Sequence, residues 1–84
     1  MNTLFATTEN YLEYCKTQKR LDNKTLKAYR TDLSQFVSFF NNSHIHTISI
    51  TDIEKYIGYL HQNFKPKTAK RKLASIKAFY HFLE

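Results

Sequence analysis

Apolar residues recur every three or four positions along almost all of this 84-residue chain, and one Gly and one Pro are its only strong breakers. Such spacing gives a helix one buried side and does not match the two-residue period of a strand. An all-β domain also needs frequent turn punctuation, which Gly58 and Pro66 alone do not supply. The expectation is therefore an all-α fold. No similarity at a solenoid period is visible, so stacked-repeat architectures are excluded. With 42% hydrophobic residues, a chain of this length builds one core, which predicts a single domain over 1–84 with little room for an enclosed catalytic cleft.

The pattern divides into four helices. The first, over Thr3 to Lys19, is expected to bury Phe5, Thr8, Leu12 and Cys15, with Tyr11 beside them and Glu9 near its start. The second starts after Asp22 or Asn23, either of them a competent N-cap, and carries Leu26, Tyr29, Leu33, Phe36, Val37 and Phe40 down one face. Asn41-Asn42-Ser43 ends it, and Ile45, Ile48 and Ile50 tack the following connection onto the core. Thr51-x-x-Glu54 reads as a capping box opening the third helix, whose buried side is Ile53, Tyr56, Ile57 and Leu60, with Gly58 allowing a close helix approach. Pro66 opens the fourth, with Ala69, Leu73, Ile76, Tyr80 and Leu83 facing inward. Tyr59, Phe64, Phe79 and Phe82 fall off these stripes and either complete the core or meet another domain or protomer.

Thirteen Lys and Arg against seven Asp and Glu leave a formal charge of +6, which points to an extended polyanion as partner, nucleic acid before anionic membrane. The distribution says more than the total. All basic residues except Lys55 lie in two blocks, Lys16 to Arg30 and Lys65 to Lys77, and nothing acidic lies between Glu54 and Glu84. A merely solvated helix surface normally mixes both signs. Projected at about 100° per residue, the fourth helix turns Lys67, Thr68, Arg71, Ala74, Ser75 and Ala78 outward with Lys70 on the flank. The second turns out Lys24, Lys27, Ala28, Thr31 and Gln35, with Arg30 nearer the core boundary. Cations reach phosphates or guanine edges, hydroxyls add shorter contacts, and small residues let a backbone approach a groove.

The stretch Thr25-Leu26-Lys27-Ala28-Tyr29-Arg30-Thr31-Asp32-Leu33 resembles the second-helix signature of tyrosine recombinases and phage integrases, the group that includes the Xer recombinases. Lys67-Thr68-Ala69-Lys70-Arg71-Lys72-Leu73-Ala74-Ser75-Ile76-Lys77-Ala78-Phe79-Tyr80-His81-Phe82-Leu83 is similar to the fourth helix of the same domain. This resemblance implies a four-helix SAM-like core-binding domain of two crossed helical hairpins, which grips one side of the core recombination site. It implies double-stranded DNA and other recombinase protomers on that DNA as partners. It also implies a separate catalytic domain, absent from these residues, that holds the reactive Arg, Lys, His and Tyr. The candidate DNA-binding residues are Lys24, Thr25, Lys27, Ala28, Thr31, Lys67, Thr68, Lys70, Arg71 and Ser75. Lys77 stands where many relatives have Arg, a change that loses a bidentate fork.

Nothing within the chain supplies an active site, so it is expected not to be an enzyme by itself. Tyr29, Tyr56 and Tyr80 lie on core stripes, and the three arginines form no constellation with them. His44-x-His46 lacks neighbouring Cys or carboxylates and reads as loop, so no metal and no cofactor is expected. Asp32, among basic residues on a helix side, is expected to pair with a Lys or Arg and orient the helix. A lone Cys15 and the lack of a secretory or membrane-spanning run fit a soluble, cytoplasmic chain, expected to be monomeric in isolation. Leu83-Glu84 ends inside a helical pattern, as in a piece trimmed from a longer protein. The competing reading is a helical protein-protein interaction module, which competition between duplex DNA and an acidic partner would separate from DNA binding. Peripheral membrane binding fits less well, because the outward faces lack large apolar anchors.

Overall fold

The computed structural model describes residues 3–84 and contains four α-helices: α1 (Leu4–Thr17), α2 (Asn23–Phe39), α3 (Ile50–Asn63) and α4 (Pro66–Leu83). A single 3₁₀ turn, Ile45–Thr47, sits between α2 and α3. Helix α1 packs on α2, α3 on α4, and α2 and α4 join the two hairpins. The fold is the all-α, four-helix bundle expected from the periodicity.

Local chemistry sets the helix ends. Thr3 Oγ1 accepts from the Ala6 N–H at the start of α1, while the Leu4 and Phe5 N–H groups donate to the Ser43 carbonyl and to Asn42 Oδ1 across the bundle. These partners satisfy donors that a helix cannot satisfy itself. Asn42 reaches α1 from a turn in which it and Asn41 both adopt left-handed backbone (φ 53° and 52°), a conformation asparagine tolerates better than most residues. Asp22 caps α2, its Oδ1 accepting from the Thr25 N–H at 2.8 Å.

The core joins Leu4, Tyr11, Leu12 and Cys15 of α1, Leu33 and Phe36 of α2, Tyr56 and Leu60 of α3, and Ala69, Ile76 and Phe79 of α4. Phe36 is its centre: its ring meets Tyr56 edge-on at 5.1 Å and Phe79 at 6.5 Å. Edge-to-face pairs of this kind add about 0.5–1.5 kcal/mol each to the burial of the rings.

Five sequence expectations change. Leu4 takes the core place expected for Phe5, which is 54% exposed. Helix α3 begins earlier than Thr51: Ser49 Oγ accepts from the Asp52 N–H at 3.2 Å and Asp52 Oδ2 accepts from the Ser49 N–H at 2.9 Å, so the capping box is Ser49/Asp52. That start carries Ile50 onto the solvent side of the first turn, 81% exposed, leaving Ile45 and Ile48 to pack the connection against the core. Gly58 is exposed, and a Cβ built there would meet nothing within 4 Å, so no helix approaches it. Finally, the buried side of α4 runs through Ala69, Lys72, Ser75, Ile76 and Phe79, while Leu83 is exposed at the end. The rotation has a polar cause, found in the contact between α4 and α2.

Candidate nucleic-acid interface

Both candidate helices carry cations where a helix is already positive. The first turn of α2 contains Lys24 and no acidic residue. Helix α4 starts from Lys65 as N-cap, without a side-chain cap bond, followed by Pro66 and Lys67, and again no acid lies in the first turn. Lysines near an N-terminus oppose the helix dipole and cost stability by some tenths of a kcal/mol. At α4 the same placement adds positive charge to uncapped N–H groups that attract anions, whereas at α2 the Asp22 carboxylate already takes the Thr25 N–H.

The candidate residues divide by exposure. Lys24, Lys27, Thr31, Lys67, Lys70 and Arg71 are exposed; Thr25, Ala28 and Thr68 are half-buried. Thr31 directs its hydroxyl hydrogen to the Lys27 carbonyl at 3.0 Å, which leaves its oxygen as an acceptor and not a free donor. Ser75 is not outward. It is 4% exposed and donates to Asp32 Oδ2 at 2.7 Å, so it supports the surface from beneath. Arg30 is held by Glu9 of α1 at 2.8 Å.

Asp32 is the hinge between the two faces. Its Oδ1 lies 3.1 Å from Lys72 Nζ and 3.1 Å from Arg71 Nη2, and its Oδ2 takes the Ser75 hydroxyl. Lys72 Nζ also donates to Gln35 Oε1 at 2.6 Å and stands 4.9 Å from the Phe64 ring centroid. A buried carboxylate is tolerable only when paired and hydrogen-bonded, and every partner here except Gln35 and Asp32 itself comes from outside α2. The network therefore fixes how α2 and α4 meet, as the sequence reading of Asp32 expected. It also explains the rotation of α4: turning Lys72 and Ser75 inward serves Asp32 and brings Phe79 into the core. Sequence reasoning counted Lys72 only within the second basic block and placed Ser75 on the outward face. The spacing of Ala69, Lys72, Ile76 and Phe79 is itself a helical stripe, and that was the available signal.

Three of the six tyrosines are too deeply placed to resemble nucleophiles. The hydroxyls of Tyr11, Tyr56 and Tyr80 are buried without a protein hydrogen-bond partner. Burial pushes the Tyr56 phenol up to about 12 and raises those of Tyr11 and Tyr80 as well, which disfavours the phenolate that attack on phosphorus requires. His44 caps the 3₁₀ turn and His46 lies within it, and among the described residues no three His, Cys, Asp or Glu side chains are grouped as a metal site. No helix among the described residues is long and apolar enough to cross a membrane.

Comparison with known proteins agrees with this architecture. Residues 8–84 match the family model described as phage integrase, N-terminal SAM-like domain. A tyrosine recombinase of Agathobacter rectalis is 54% identical over 84 residues, covering the whole chain and 28% of the relative. Tyrosine recombinase XerC of Chlorobaculum tepidum is 32% identical over 83 residues (87% of this chain, 25% of the relative), and XerC of Oceanobacillus iheyensis is 31% identical over 88 aligned positions (100% and 29%). The chain thus spans between a quarter and a third of the length of these relatives. No solved structure matches. The chain belongs to the family of phage integrase N-terminal SAM-like domains, the N-terminal domains of tyrosine recombinases.

Proposed function

We propose that this domain grips duplex DNA at a core recombination site on behalf of a site-specific tyrosine recombinase, laying the exposed faces of α2 and α4 along the duplex. The observation that carries the reading is the meeting of two lysine-bearing helices at a buried carboxylate that holds them in fixed relation. Lys24, Lys27, Lys67 and Lys70 supply phosphate contacts, Thr25 and Thr68 shorter polar ones, Thr31 an oxygen that can accept from a base amino group, and Ala28 permits close approach. Ser75 contributes indirectly, by holding Asp32.

In this reading, cleavage and rejoining of the strands belong to a catalytic domain elsewhere in the parent protein. The single module over 1–84 positions DNA for that chemistry, alongside other protomers on the same DNA and in the cytoplasm, where such DNA resides. Phosphate contacts carry no base information, so binding by this domain alone has modest sequence preference.

The test is fluorescence anisotropy with a labelled duplex over a salt series. If about four to six phosphates are neutralised, log K falls against log salt with a slope of about −4 to −5. A flat response, or no binding at low salt, rejects the proposal. Competition by duplex DNA against an acidic protein partner separates it from a docking module using the same surface.

A further inference from the structure

We infer that Asp32 is a positioning residue for DNA recognition: it holds the Arg71 guanidinium at the seam of α2 and α4, aimed at a backbone phosphodiester. The inference rests on the DNA-binding reading above and assigns a role to a residue of the opposite charge to the DNA-binding surface.

The cluster holds one carboxylate and two cations. Lys72, 4% exposed, is the resident counter-ion, because its ammonium is shared between Asp32 and Gln35 and its stem leads away from solvent. Ser75 occupies Oδ2. Arg71 is therefore surplus to neutralisation. It reaches Oδ1 through Nη2 alone, its side chain is 49% exposed, and no other side chain among the described residues engages it. A guanidinium has five N–H donors, and a single contact to the carboxylate leaves a planar fork for another anion. Ion pairing of one nitrogen with a buried, fixed carboxylate, although without hydrogen-bond alignment, also reduces rotamer freedom that a free arginine would lose on binding. Lys72 keeps the sum of the three charges at about +1, so the site still attracts a phosphate despite Asp32.

Charge counting and positioning can be separated with Asp32→Asn/Lys72→Met, which removes one charge of each sign and leaves no stranded buried ion. With net charge unchanged, a purely electrostatic role predicts wild-type affinity. Positioning predicts about tenfold weaker duplex binding, and Arg71→Ala then adds little in the double-variant background although it costs about tenfold in the wild type. Arg71→Lys in the wild type is expected to fail to rescue, since an ammonium lacks the fork. A readout independent of DNA is the order of the Arg71 Nε–H vector by NMR relaxation: restrained in the free wild-type domain, and as mobile as the exposed Arg20 in the double variant.

Wild-type affinity for the double variant, equal losses from Arg71→Ala in both backgrounds, or full activity of Arg71→Lys overturns the inference. So does an Arg71 as mobile as Arg20 in the wild type, a measurement that needs no variant to fold. If the wild type binds no duplex, the DNA reading falls and this inference with it. If the wild type binds and Lys27→Ala weakens it while Asp32 shows no coupling to Arg71, only the positioning role fails.

Discussion

Lys72 Nζ lies 3.1 Å from Asp32 Oδ1, and the two side chains are almost wholly withdrawn from solvent although forty positions separate them in the chain. The pair binds the N-terminal hairpin to the C-terminal one through polar contacts placed beside Leu33, Ile76 and Phe79 of the core. Such a pair is not a simple gain in stability, because the desolvation of both ions offsets much of their attraction. Its value lies in direction: only one approach of α4 to α2 satisfies Asp32, Lys72 and Ser75 together.

Breaking that pair from one side should be severe. Asp32→Ala strands the Lys72 ammonium in the core, and urea unfolding should show a loss of about 3–5 kcal/mol. Asp32→Asn/Lys72→Met should lose clearly less, since no unpaired charge remains. Equal losses would mean that the carboxylate matters to stability for a reason other than its partner.

Removal of exposed cations should act on DNA and not on folding. Lys27→Ala and Lys67→Ala should each reduce the salt slope by roughly 0.9, the share of one phosphate contact, while the helical circular dichroism is retained. Lys55→Ala on α3, outside both basic blocks, should leave affinity and slope unchanged. A similar drop for Lys55 would reduce the interface to overall net charge.

Stability should decline at both ends of the pH scale, for opposite reasons. Backbone N–H groups at the N-caps, Thr25 for Asp22 and Ser49 for Asp52, hold these carboxyls below their ordinary value of 3.8. Their contribution is complete above 3.8 and disappears as pH falls through the lower folded values. Burial pushes the Tyr56 phenol from 10.0 up to about 12, so its contribution is complete below 10.0 and disappears as pH rises toward 12. Thermal melts across pH should show Asp52→Asn flattening the acid limb and Tyr56→Phe flattening the alkaline one.

Gly58 lies in the interior of α3, has no positive φ, and faces open space. Gly58→Ala should therefore stabilise the domain by about 0.5–1 kcal/mol through the smaller entropy of the unfolded chain. A thermal melt of the purified domain decides it, and a destabilised variant would mean that the position is not open in the folded domain.

The amino-acid sequence by itself determined the helices, because spacing such as Leu33, Phe36 and Phe40 is a local property that needs no knowledge of the partner surface. It also determined where the positive charge gathers, since Lys24 and Lys27, and Lys67 and Lys70, remain exposed as read. Tertiary structure decided the fine rotation of each helix. Leu4 and Phe5 are neighbours of similar hydrophobicity, and only the docking of α1 against α2 and α4 chose Leu4 for the core. Ser75 and Lys72 look like surface residues by type, and the hydrogen-bonding demand of a buried carboxylate forty positions away drew them inward. Helical periodicity locates an apolar stripe to within a residue or so, but a buried charge must be met atom by atom. For that reason the Asp32 cluster, absent from any local pattern, sets the angle at which the two basic faces are presented.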